Sequence, residues 1–185
     1  MGWIPWAIII AIVLILIIWV ASTYNRLVSF SVRVDNSWAQ IDVQLKKRFD
    51  LIPNLVETVK GYASHEKETF SEVTKWRSAA MNSKTPEEAM ENNAKLSHAM
   101  VNLFATAERY PDLKANQNFL DLQNQLKDLE SKIAVSRQFY NDSAMKFNER
   151  VMHFPSNIIA SMFHFTQKKY FEIDEGDKAV PQVKF

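Results

Sequence analysis

Four histidines, His65, His98, His153 and His164, are the side chains best suited to acid–base work or metal ligation. None stands four residues from another and no HExxH spacing occurs, so no helix face offers two imidazoles to one zinc ion. Glu57, Glu66, Glu68 and Glu72 gather near the middle of the chain. Glu68 and Glu72 lie one helical turn apart, a spacing at which two carboxylates could share a proton. Lys60, Lys67 and Lys75 are interleaved with them, and a solvated helix face with paired charges explains the pattern more simply. Ser64, Ser136 and Ser143 sit in polar or helical stretches without a strand–turn–helix elbow. Cysteine is absent, so thiolate chemistry is excluded. No catalytic, cofactor-binding or metal-ligating constellation emerges, and the expectation is a protein that is not an enzyme and needs no cofactor.

The elements around these residues read as helices. Only three glycines occur, which argues against strand–turn architectures and against a phosphate-binding glycine loop. Glu, Lys, Gln, Ala, Leu and Met fill the middle of the chain, and each favours helix. Trp38, Ile41, Leu45, Phe49, Ile52, Val56, Val59 and Ala63 recur at three- and four-residue steps and form one apolar stripe. Pro53 interrupts the backbone bonding of that stripe, so a bend is expected there, with Asp50 placed to accept from freed amides. Trp38 and Phe49 are expected in the core.

Thr85-Pro86-Glu87-Glu88 is the clearest helix start, with Thr85 as N-cap, Pro86 in the first turn and Glu88 closing a capping box. That helix is expected to end at Arg109-Tyr110, before Pro111. A third long helix is expected from about Ala115 or Asn116. In it Phe119, Leu122, Leu126, Leu129, Ile133 and Tyr140 keep a three–four rhythm, with Leu126 and Ile133 on the packing seam. Pro155 stops it. Residues 156–165 are expected to form a short, very apolar helix for which three roles compete: a cap on the bundle, a lipid contact, or a contact with another subunit. Ile158, Ile159, Met162 and Phe163 would carry either contact.

Ahead of these helices, residues 3–21 carry no charged side chain, and twelve of them are Ile, Leu or Val. At about 1.5 Å per residue they span roughly 28 Å, close to the hydrocarbon thickness of a bilayer. Trp3, Trp6 and Trp19 stand near the ends, where indoles settle at headgroups. No basic side chain precedes the run and it exceeds the 7–15 residues typical of a signal sequence, so an uncleaved single span is expected. Arg26 and Arg33 follow it, with Lys46, Lys47 and Arg48 further on. The positive-inside tendency then puts the remaining chain in the cytoplasm and the anchor in the inner membrane. Lys46-Lys47-Arg48 reads as an ordinary solvated face, with contact to anionic lipid as the alternative if the rod lies down or pairs with another surface. A net charge of +1 gives no nucleic-acid footprint.

The fold class expected is all-α: a transmembrane helix over residues 1–24, an elongated antiparallel bundle of three to four long helices over 25–172, and a polar tail over 173–185. Partners expected are the lipid bilayer, further copies of the chain and a membrane protein, with no nucleic acid and no small-molecule substrate. Ala7 and Ala11 form a small-xxx-small pair that permits close helix approach in lipid.

The block from Trp38 to Ala63, WAQIDVQLKKRFDLIPNLVETVKGYA, resembles the signature block of the LemA family. Tyr110-Pro-Asp-Leu-Lys-Ala-Asn116 with Phe119, Arg137-Gln-Phe-Tyr-Asn141 and Phe154-Pro155 are similar to its later blocks, in the same order and spacing. Phe49 and Trp76 depart from the family's more usual smaller or basic residues. The resemblance implies a single-pass bacterial membrane protein with a helical-bundle domain and no agreed enzymatic activity. It also implies a loose association with envelope or membrane organisation, one branch serving intracellular membrane compartments. A membrane-anchored scaffold, acting as a homo-oligomer, is the function expected; an adaptor that docks a protease or signalling protein is the alternative.

Overall fold

The computed structural model describes residues 3–171. Six helices occur among them and no strand: α1 (Ile4–Lys60), α2 (Lys67–Met81), α3 (Pro86–Ala107), α4 (Pro111–Lys114), α5 (Gln117–Met152) and α6 (Ser156–Met162). The all-α class read from the sequence is the class observed. The tail expected over 173–185 lies outside the described residues. Two compact units divide the chain, one of residues up to Ser37 with Gln138–Tyr170, the other of Trp38–Arg137 joined by Phe171. α1 and α5 contribute to both.

In the second unit, the stripe along α1 is buried at Ile41, Leu45, Phe49, Ile52, Leu55 and Val59. Val73 of α2, Leu96 and Leu103 of α3, and Leu126 and Ile133 of α5 are buried in the same unit. α1 does not break at Pro53, which is exposed. Asp50 is therefore an exposed interior helical residue and caps nothing, contrary to the expectation. The reason lies on α2. Proline at 53 has no N–H for the Phe49 carbonyl. Arg77 Nε donates to that carbonyl at 2.7 Å, so the orphaned acceptor is satisfied from a neighbouring helix. Arg77→Met should cost about 1.5 kcal/mol, the value of a charge-assisted bond to a shielded acceptor. Adding Pro53→Ala restores an N–H for Phe49 and should recover most of the loss. Urea unfolding of the two single variants and the double variant reads the coupling; strictly additive effects would remove the link.

The α3 start follows the sequence with one shift. Thr85 accepts from the Glu88 amide at 3.2 Å, and Pro86 opens the helix. Glu88, however, accepts from the Lys84 amide at 2.9 Å, one residue earlier than a reciprocal capping box requires. α3 stops at Ala107, and the single turn α4 then occupies the residues between the two expected helices. Asn116 caps α5 by accepting from the Phe119 amide at 3.0 Å. The connecting segments of this unit are tied together. Glu66 accepts from Arg109 at 3.1 Å and from the Tyr110 hydroxyl at 3.2 Å, and Asn116 donates to the Tyr62 hydroxyl at 2.9 Å. Burial raises the Tyr110 pKa, and the bond to Glu66 adds to the rise.

In the first unit, Leu27 of α1 packs with Ile159 and Ala160 of α6, flanked by Val20, Val151 and Phe165. α6 ends in a Schellman arrangement. Phe165 N–H reaches the Ala160 carbonyl at 2.9 Å, His164 N–H reaches Ser161 at 3.2 Å, and His164 takes the left-handed backbone, φ 57°. The segment beyond is held by Asn148 of α5. Its Nδ2 donates to the Lys168 carbonyl and its Oδ1 accepts from the Lys168 amide, both at 2.8 Å. The Tyr140 hydroxyl donates to the Lys169 carbonyl at 3.1 Å. Asn148 is buried, so its amide group substitutes for solvent at two backbone groups. Asn148→Leu should cost about 2 kcal/mol by stranding both. Trypsin should then cut at Lys168 and Lys169 faster than in the parent; an unchanged cutting rate would argue against the clamp.

Candidate functional site

Two regions of the molecule are candidates, one in each unit. The first is the apolar surface of the N-terminal unit. α1 is the helix, among the described residues, long and apolar enough to cross a membrane. Its side chains from Ile4 to Trp19 are all exposed, as is Trp3 just before it. Just beyond them, the Tyr24 ring lies 4.6 Å from the Phe163 ring and 5.9 Å from the Phe165 ring. α6 therefore packs on α1 at the point where the apolar run ends. Ile158, Met162 and Phe163 of the expected contact set are exposed, as is Phe154. Ile159 faces inward on Leu27 and acts as a core residue, not as a lipid or subunit contact. Helical periodicity explains the difference, since Ile158 and Ile159 are neighbours about 100° apart on α6.

The second region is a cleft of about 680 Å³ between α3 and α5. Ser97, Met100, Val101 and Phe104 form one wall; Leu126, Lys127, Glu130 and Arg137 form much of the other. Behind it lies Arg48, with 0% exposure. Its Nη2 donates to Ser97 Oγ at 2.9 Å, and its Nη1 is 2.9 Å from Glu130 Oε1. The latter is an ion pair at an angle outside hydrogen-bonding geometry, and Arg48 Nε has no hydrogen-bond partner. Burial lowers the Arg48 pKa, Glu130 opposes that, and the nearby Arg137 charge reinforces it. Lys46-Lys47-Arg48 is thus not a uniform solvated face. Lys46 pairs outward with Asp42 at 2.8 Å, while Arg48 points inward. The signal was present in the spacing, because position 48 continues the series 41, 45, 52 on the apolar side of α1.

The remaining sequence candidates are placed as follows. Phe49, Leu126 and Ile133 are buried. Trp38 is half-buried and stacks on Phe171, with ring centroids 5.8 Å apart, while the Arg137 guanidinium sits 5.1 Å from the same Phe171 ring. Among the described residues, no three His, Asp or Glu side chains converge where a metal could be held. Glu57 pairs with Lys60 at 2.9 Å, Glu66 is engaged by Arg109 and Tyr110, and Glu68 and Glu72 are exposed on α2. Ser97 Oγ is occupied by Arg48, and Ser143 Oγ donates to the Phe139 carbonyl at 2.9 Å and lies 3.1 Å from Ser37 Oγ. Sequence reasoning missed Asn148 and Arg77, whose roles depend on backbone groups far away in the chain.

An all-helical fold, one long apolar N-terminal helix and an apolar surface at its end define a membrane-associated helical protein. The LemA family pattern matches residues 37–185, and the chain belongs to the LemA family. It is similar to Protein LemA of Metamycoplasma hominis, 24% identical over 83% of this chain and 71% of that protein. It is also similar to Magnetosome protein MamQ 2 of Paramagnetospirillum magneticum and Magnetosome protein MamQ of Magnetospirillum gryphiswaldense. Each of these is 23% identical over 86% of this chain and 70% of its own length.

Proposed function

We propose that the chain is a non-enzymatic scaffold that crosses the inner membrane once through the start of α1. Its helical domain, in the cytoplasm, organises or reshapes that membrane as a homo-oligomer. The observation that carries the reading is the exposed apolar run from Trp3 to Trp19, continuous in one helix with the buried stripe of the domain. Exposed side chains of that kind are satisfied by lipid. The magnetosome relatives, named for a magnetosome, support a role at a membrane compartment. Arg26 and Arg33 after the span support the cytoplasmic side. Purified full-length protein, cross-linked in detergent and then reconstituted into vesicles imaged by electron microscopy, tests it. Oligomers together with tubulated or constricted vesicles are expected; strict monomers and unaltered vesicles would overturn the scaffold.

The α3–α5 cleft favours a second reading, an adaptor that docks another membrane protein on the domain. Its apolar wall and the exposed Lys127 suit an acidic amphipathic segment. Cross-linking in intact membranes separates the two. A stoichiometric foreign partner lost in a Lys127→Glu variant indicates the adaptor; self-association unaffected by that variant indicates the scaffold.

A further inference from the structure

We propose that α6 is a second membrane contact, lying in the headgroup layer with Phe154, Ile158, Met162 and Phe163 in the acyl boundary of the leaflet that α1 leaves. The inference rests on the reading that α1 spans the bilayer.

Depth is the first argument. α6 is fixed to α1 by Ile159 and Ala160 on Leu27, and by Phe163 on Tyr24. Tyr24 and Leu27 lie three and six residues beyond Ala21, about 4.5 and 9 Å further along the helix axis. The headgroup layer on each side of the hydrocarbon is about 5–8 Å thick. The Phe163 end of α6 is therefore held within that layer and the Ile159 contact at its outer edge, the level where amphipathic helices rest on a bilayer.

The exposed face is the second argument. Phe154 is 80% exposed and Met162 63% exposed, with Ile158 and Phe163 nearly half exposed. The inward face of α6 is already filled by the Leu27 cluster, so packing within the unit makes no call on Phe154, Ile158 and Met162, and Phe163 stays nearly half exposed beyond its contact with Tyr24. They stand on the part of the molecule that is continuous with the exposed span.

Charge is the third. Residues 22–34 and 150–171 contain Arg26, Arg33, Arg150, Lys168 and Lys169 and no acidic residue. Lys168 reaches Asp35 at 3.5 Å, and the Arg33 and Arg150 guanidiniums each lie within 6 Å of the Phe30 ring. Arg26 and Lys169 are exposed. A basic collar beside apolar side chains suits a lipid surface that carries negative headgroups. A second protein copy presenting this same collar would bring like charges together.

Because the chain has no cysteine, single labels are easily placed. Ile158→Cys and Met162→Cys, each carrying an environment-sensitive fluorophore, are compared in full-length protein reconstituted into phosphatidylcholine–phosphatidylglycerol vesicles. Ile12→Cys reports the span and Lys132→Cys, exposed on α5 outside the cleft, reports a solvated site. The expected result is blue-shifted emission at 158 and 162, with roughly twofold stronger quenching by a nitroxide near the headgroup than by one deep in the chain, as for an interfacial helix. At position 12 the deep nitroxide should quench more. Water-like emission at 158 and 162 with normal quenching at 12 would overturn the α6 contact and leave the span intact. Blue-shifted emission at 158 and 162 that lipid nitroxides do not quench would also overturn it, in favour of a contact with another subunit. Absence of quenching at position 12 as well would overturn the span and the α6 contact together.

Discussion

Leu126→Asp is expected to unfold the Trp38–Arg137 unit, at a cost above about 4 kcal/mol. Three terms add. Leu126 is buried on α5, so its removal forfeits about 2–3 kcal/mol of apolar burial. The new carboxylate must be desolvated. Glu130, one turn further along α5, is a like charge and its own cation, Arg48, is already engaged. Lys127→Asp, at an exposed neighbouring position, should change stability by less than about 0.5 kcal/mol. Loss of the cooperative thermal transition in the first variant and its retention in the second is the result expected from circular dichroism in detergent. An unchanged melting temperature for Leu126→Asp would take that residue out of the core.

Glu130→Ala should cost about 3 kcal/mol, whereas Arg48→Met should fall within about 1 kcal/mol of the parent. The ordering runs against exposure, since the Arg48 side chain is fully buried and that of Glu130 is 45% exposed. Removing Glu130 leaves a guanidinium shut away from water with Ser97 as its remaining hydroxyl partner. Removing Arg48 in favour of an apolar side chain of similar length leaves no buried charge and releases Glu130 to solvent. The wet side of Glu130 puts its loss at the lower end of the 3–5 kcal/mol expected when a buried pair is broken. Chemical denaturation of both variants checks the order. An Arg48→Met variant less stable than Glu130→Ala would mean that the ion pair, and not merely the shielded charge, holds α1 to α5.

Much of this architecture was legible in the residues. The rhythm of Phe119, Leu126 and Ile133 marks α5, and Thr85-Pro86 marks the start of α3, because both signals are local. α1 announces itself at both ends, by lipid-like side chains first and by the stripe at Ile41, Leu45 and Ile52 later. What escaped was set by contacts distant in sequence. Pro53 reads as a bend with Asp50 accepting from freed amides, and the group left without a donor is in fact the Phe49 carbonyl, served by Arg77, twenty-four residues on. Asn148 carries no local signal, because the group that uses both ends of its amide is the Lys168 backbone, twenty residues on. Arg48 sits on the buried side of a helix, and reading the run Lys46-Lys47-Arg48 as a block of charge hid that phase. α4 is a single turn, too short to have a periodicity. Of the apolar segment after Pro155, the sequence shows the quantity of hydrophobic side chains but not the division between Ile159 within and Ile158 without.

α1 is helical without interruption from Ile4 through Leu27. Along a continuous helix the azimuth of every residue is linked at about 100° per step. Ala7 is twenty steps and Ala11 sixteen steps before Leu27, which places the alanine pair about 180° around the cylinder from the seat of α6. Two copies joined back to back through their alanines would turn both α6 helices outward, one on each flank. Self-association in the bilayer and lateral contact with surrounding lipid would then use opposite sides of the same helix and would not compete.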